Sequence, residues 1–146
     1  MPTAARLVAA ICICLVAFIV SHLIMPLMPE STAFGMFAYV NAGIGLCVGW
    51  SVMGKRAGGG SSAALNNGFS GILMLVLWGL FLHSCYQMFG RAMANWYDGA
   101  FDALLAVFKF MAEFALVMAD PLVIISLITG GILSGLATEY AWRRWR

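Results

Sequence analysis

Four stretches of this chain carry no Lys, Arg, Asp or Glu: residues 7–29, 31–54, 57–90 and 121–138. A helix rises about 1.5 Å per residue, so about 20 apolar residues cover the hydrocarbon thickness of a bilayer. Inside lipid, every backbone N–H and C=O needs a partner from the chain itself. An uninterrupted helix supplies those partners and an open loop does not. The pattern therefore predicts four spanning helices, at 5–25, 33–53, 68–89 and 121–141. Of the 146 residues, 63% are hydrophobic and 10% charged, against about 25% charged in soluble domains. Nearly the whole length is used in crossing, and no segment is left for a soluble catalytic domain. The expectation is an all-α integral membrane protein, a single membrane domain over 1–146 built as a four-transmembrane-helix bundle.

Punctuation residues set the helix ends. Pro26 and Pro29 stop the first helix, because proline lacks a backbone donor and clashes with the preceding turn. Ser31 or Thr32 caps the second. The stretch from Ala57 to Ser62, with three consecutive glycines, has the composition of a flexible connector, and Asn66 or Asn67 caps the third helix. Asp120-Pro121 is a start signal for the fourth, an Asp cap followed by proline at the first helical position. Arg6 precedes an apolar run that continues to Met25 with no small-x-small cleavage site. It reads as an uncleaved anchor that is also the first span.

Residues 98–118 form a further helix of another kind. Asp102, Ala106, Lys109 and Glu113 share one narrow face at helical spacing. Lys109 and Glu113 would sit near the middle of a spanning helix, at about 2.5–3.5 kcal/mol each. An amphipathic interfacial helix between helices 3 and 4 avoids that cost. Its apolar residues Phe101, Leu104, Leu105, Phe108 and Phe114 turn toward lipid or the bundle. The rival is a fifth span whose polar stripe faces protein.

Orientation follows from the cations. With the N-terminus inside, Arg6, Lys55, Arg56, Arg143, Arg144 and Arg146 lie on the cytoplasmic side. The outer side keeps Arg91, Lys109 and five of the six acids. Both termini are expected in the cytoplasm, with the protein in the bacterial inner membrane. Trp142, Arg143, Arg144, Trp145 and Arg146 form an aromatic and basic anchor, and Glu139 pairs with Arg143 one turn on. A net charge of +2 gives no reason to expect nucleic acid as a partner.

Small residues mark where helices approach. Gly45 and Gly49 form a GxxxG that Asn41 extends upstream, Gly131 and Gly135 form another, and Ser126, Gly130, Ser134 and Thr138 form a parallel row. Packing within the bundle is the default use of these rows, and homodimerisation the other. His22 and His83 fall at similar depth on oppositely directed helices. In that arrangement two histidines ligate a haem b or a metal, or else bond to neighbours. Met25, Met28 and Cys85 extend the same locus toward a soft-metal site. Four cysteines without a CxxC pair imply no disulfide framework and serve as small apolar fillers. There is no P-loop, HExxH, nucleophile elbow or dinucleotide fingerprint. No enzyme is expected and no resident cofactor is required.

Several short motifs carry a resemblance. They are Met1-Pro-Thr-Ala-Ala-Arg-Leu-Val8, Met25-Pro-Leu-Met-Pro-Glu-Ser31, Val48-Gly-Trp-Ser-Val-Met-Gly-Lys-Arg-Ala57, Asn66-Asn-Gly68, Trp78-Gly-Leu-Phe81, Tyr97-Asp-Gly99 and Glu139-Tyr-Ala-Trp-Arg-Arg-Trp-Arg146. Together they resemble the TrgA-type tellurite-resistance family of alphaproteobacterial inner-membrane proteins. The resemblance spans almost the whole chain and implies a role in tolerance to tellurium oxyanions. It carries over no catalytic or binding residue. An accessory subunit of a larger respiratory or photosynthetic membrane complex fits the same residues.

Overall fold

The computed structural model describes residues 2–30 and 34–145, and every regular element in them is a helix. In chain order these are α1 (Pro2–Ile24), α2 (Phe37–Val48), α3 (Gly60–Met93), α4 (Ala100–Met118) and α5 (Pro121–Arg144). Four segments are long and apolar enough to cross a membrane: Thr3–Leu27, Phe37–Arg56, Gly60–Met93 and Pro121–Arg144. The predicted Ser31 or Thr32 cap lies outside the described residues, as does Arg146.

The buried face of α1 runs through Ala5, Ala9, Ile13, Ala17, Val20 and Ile24 at three- and four-residue steps, one stripe of a helix. α1 packs on α2 along one side and α5 along the other, and α5 also packs on α3. Ile13, Met53, Leu75, Val123 and Leu127 meet in the core between them. As expected, α1 ends at proline: a 3₁₀ turn over Met25–Leu27 contains Pro26.

α2 runs on past Val48 as a π-turn over Gly49–Met53 and a 3₁₀ turn over Gly54–Arg56. The looser turn changes which face points inward. It brings Met53 to 0% exposure, with its sulfur at the surface of Gly71 on α3.

Helix 3 departs from expectation at its start. It begins at Gly60, not near residue 68, and neither Asn66 nor Asn67 caps it. Asn67 is buried and donates its Nδ2 to the Arg56 carbonyl at 2.7 Å, closing the end of α2. The fourth apolar helix, α5, starts as its sequence dictates, with Asp120 Oδ1 accepting the Leu122 N–H at 2.9 Å and Pro121 at the first helical position.

α3 and α5 are antiparallel. Gly68 lies against Gly131, and Ala64 against Gly135. Carried along both helices, that register sets Pro121 level with Trp78. Residues 79–93 then continue past the start of α5 by about 22 Å. α4 returns along this extension, packing chiefly on α3. Its circumference divides into three sectors. Val107 and Phe110 are buried toward the bundle with Phe114 half-buried; Phe101, Leu104, Leu105 and Phe108 are exposed; Asp102, Lys109 and Glu113 form an exposed charged stripe. Among the apolar residues grouped in advance, Phe114 alone faces inward.

Candidate functional site

Two polar assemblies sit within this apolar bundle. The larger closes the end where α1 begins, α2 and α5 finish and α3 starts. Gly58 and Gly60 both have positive φ, 107° and 90°, which glycine adopts without strain. This backbone turns two N–H groups toward the end of α5. Glu139 receives them, Oε2 accepting from Gly58 at 2.8 Å and Oε1 from Gly60 at 3.0 Å. Arg143 Nε donates to the same Oε1 at 3.3 Å, the pairing expected from the one-turn spacing.

Trp142 lies under Gly58, where a β-carbon would come within 2.6 Å of its indole ring. Glu139 itself is only 5% exposed. A buried carboxylate needs this many donors, since an unpaired charge in such a place is costly. The triple-glycine stretch is therefore a fixed clasp on α5, whereas its composition had suggested a flexible connector.

The second assembly links three helices. Ser21 on α1 donates its hydroxyl to the Ala17 carbonyl at 2.6 Å and accepts from Asn41 Nδ2 on α2 at 2.8 Å. Asn41 Oδ1 in turn accepts from His83 Nε2 on α3 at 2.8 Å. The His83 ring packs on Phe37, centroids 4.6 Å apart and planes tilted by 38°. His22 behaves differently. It is exposed, and its Nδ1 donates to the Phe18 carbonyl of its own helix at 2.9 Å. Among the described residues the two histidines share no hydrogen-bond partner and no ring contact. No three His, Cys, Asp or Glu side chains gather into one group among the described residues. All four cysteines are free thiols.

The small-residue rows are consumed inside the chain. A β-carbon on Gly45 would lie 2.7 Å from the Ile13 carbonyl, and one on Gly49 would meet Ala9. Gly54 continues the ridge against Arg6 of α1, 2.6 Å from its Cα. On the other side Gly131 and Gly135 receive Gly68 and Ala64 of α3, and Gly130 receives Val16 of α1. The Gly45–Gly49 and Gly131–Gly135 faces are thus filled by neighbouring helices of the same chain, while Ser126 and Gly130 stay half-buried.

Sequence reasoning placed Glu139 beside Arg143 and missed its grip on Gly58 and Gly60. Three glycines facing a lone acid among arginines was the available signal. Asn41 was read only as an upstream extension of the GxxxG row. A carboxamide inside an uncharged span marks a hydrogen-bond hub, since such a group needs partners wherever water is scarce.

Fold and site together define a tightly packed helical bundle with four candidate membrane spans. Comparison with protein-family models, with curated proteins and with solved structures gives no match.

Proposed function

We propose that this chain is a multi-pass protein of the bacterial inner membrane that contributes to tolerance of tellurium oxyanions without performing catalysis. One observation carries the proposal: four of the seven motifs behind the family resemblance, 1–8, 48–57, 66–68 and 139–146, meet in one piece of structure. Gly49 and Gly54 of the 48–57 motif seat α2 on α1, and Gly68 seats α3 on α5. Asn67 closes the end of α2. Glu139 and Trp142 of the terminal motif hold the glycine loop. Motifs scattered in sequence meet at the basic end of the bundle.

This end lies in the cytoplasm, where the excess of arginine and lysine is retained. α4 lies in the outer interface. Its exposed apolar sector enters lipid and its charged stripe faces water. The test is tellurite survival of a deletion strain complemented with the wild type, with Glu139→Ala or with His22→Ala/His83→Ala. Wild type restores survival, Glu139→Ala restores it poorly, and the double histidine variant restores it well. Equal sensitivity of the deletion and parent strains would refute the role.

A second role, as accessory subunit of a larger membrane complex, is favoured by the α3 extension. It leaves Tyr86 82% and Met93 87% exposed. Co-purification with an oligomeric complex in mild detergent, lost on Tyr86→Ser/Met93→Ser substitution, would establish it.

A further inference from the structure

The five described cations other than Arg91 and Lys109 all belong to one end of the bundle. Arg6 opens α1, with Gly54 of α2 packed directly on it. Lys55 and Arg56 close α2 and are exposed, and Arg143 and Arg144 close α5 and are exposed. The clasp holds these ends together. The Gly58 N–H is bound to Glu139, and Arg143 Nη2 lies 4.0 Å from where a β-carbon of Gly60 would stand. Charge is not balanced there. Glu139 belongs to this end, but it is buried and fully engaged by three donors. Glu30, Asp98, Asp102, Glu113 and Asp120 all lie toward the opposite end or on α4. The exposed part of the basic end therefore carries a net positive charge, with Arg143 alone among its exposed cations paired, through Nε, to Glu139 among the described residues.

Its position adds a constraint. The cations stand directly where four long apolar segments terminate, with Trp142 half-buried and Trp145 55% exposed among them. Indole rings settle at the depth of lipid headgroups. A free protein partner would have to reach these side chains through the headgroup layer, whereas lipid phosphates are already at that depth.

We infer that the basic end is a binding site for anionic lipid headgroups, with Lys55, Arg56, Arg143 and Arg144 holding the phosphate. Glu139 is the residue that makes the site possible, because it joins the α2–α3 loop to α5 and keeps its own charge out of the exposed ring. The inference rests on reading the four segments as membrane spans, and it is independent of any role in tellurite tolerance. A protein soluble without detergent would refute the spanning assignment itself, and the titration below addresses the site alone.

The experiment uses the full-length chain in dodecyl maltoside, titrated separately with phosphatidylglycerol, phosphatidylcholine and inorganic phosphate while the thermal midpoint is followed. Phosphatidylglycerol is expected to raise the midpoint saturably, and the other two to leave it unchanged. Each basic residue near an anionic surface is worth about five-fold in affinity. Lys55→Gln/Arg56→Gln should therefore weaken the apparent affinity about 25-fold, Arg144→Gln about five-fold, and Lys109→Gln on α4 not at all. The Lys55 and Arg56 side chains take no part in the clasp's hydrogen bonds, so their variant separates lost lipid binding from lost folding. Equal shifts with phosphatidylcholine, saturation by inorganic phosphate, or unchanged affinity in Lys55→Gln/Arg56→Gln would each overturn the inference.

Discussion

Glu139 accepts the Gly58 N–H at 2.8 Å, joining residues 81 positions apart in the chain. The same carboxylate takes the Gly60 N–H and the Arg143 Nε. Hydrogen bonds to a charged group contribute about 1.5–3 kcal/mol each, and a buried donor left unpaired is costly. Glu139→Ala removes the acceptor from two loop amides at once. It is expected to destabilise the bundle by about 3 kcal/mol. Glu139→Gln retains one acceptor oxygen but sets an amide group against a backbone donor, and should fall between. Thermal unfolding in detergent checks the order, and limited proteolysis between α2 and α3 checks the locus. An alanine variant as stable as wild type would mean the clasp contributes nothing.

Glycines in this chain divide by what surrounds them. A β-carbon on Gly68 runs into the Gly131 carbonyl, a backbone atom that cannot rotate away. A β-carbon on Gly43 or Gly90 would meet nothing beyond its own helix within 4 Å. Gly68→Ala should therefore force α3 and α5 apart at about 1–3 kcal/mol, and Gly131→Leu and Gly45→Leu should cost at least as much. Gly90→Ala should instead stabilise α3 by about 0.5–1 kcal/mol, the helix propensity difference. Melting temperatures of the four variants give the comparison. A Gly68→Ala protein melting with the Gly90→Ala protein would refute the α3–α5 contact.

Hydrophobic length made the four apolar helices legible in advance. Proline and Asp-Pro made the end of α1 and the start of α5 legible, because these signals act through local backbone chemistry. The glycine rows were legible as contacts, though their partners were not. Spacing shows that Gly45 and Gly49 share a face, but not that Ile13 and Ala9 fill it. The start of α3 was misread for a related reason. Gly-Gly-Gly has low helix propensity, so the sequence pattern pushed the boundary toward Asn66. In the fold, Glu139 fixes the glycines from the far end of the chain and lets the helix begin at Gly60. Residues held by partners 80 positions away leave no local signature. The π-turn over Gly49–Met53 likewise answers to packing of Met53 and not to propensity.

Asn41 couples α1 to α3 through Ser21 and His83, while His22 bonds only within α1. Interhelical hydrogen bonds in membrane proteins average about 0.6 kcal/mol. Asn41→Leu should cost about 1 kcal/mol, His83→Ala somewhat less, and His22→Ala should stay within about 0.5 kcal/mol of wild type. The informative measurement is a pair of double-mutant cycles on thermal stability. Asn41 and His83 should couple, whereas His22 and His83 should be additive. Coupling between the two histidines, or a Soret band in the purified protein, would point to a shared ligand.

Arg91 holds the α3–α4 hairpin by a different force. Its guanidinium carbon lies 4.5 Å from the ring centre of Phe110 on α4 and 5.6 Å from that of Trp96 in the connecting loop. Such contacts contribute about 0.5–1 kcal/mol where water has access. Arg91→Gln should then lower global stability only slightly. Its local effect should be larger, because α4 packs chiefly on α3 and meets the Ile13–Val123 core through its last turn, at Val117 and Met118. Regions with few partners open below the global free energy. Hydrogen exchange in detergent should show amides of residues 100–118 exchanging several-fold faster in the variant, with those of α1 and α5 unchanged. If all five helices instead exchanged together, α4 would be an integral part of the bundle and Arg91 a minor contributor to it.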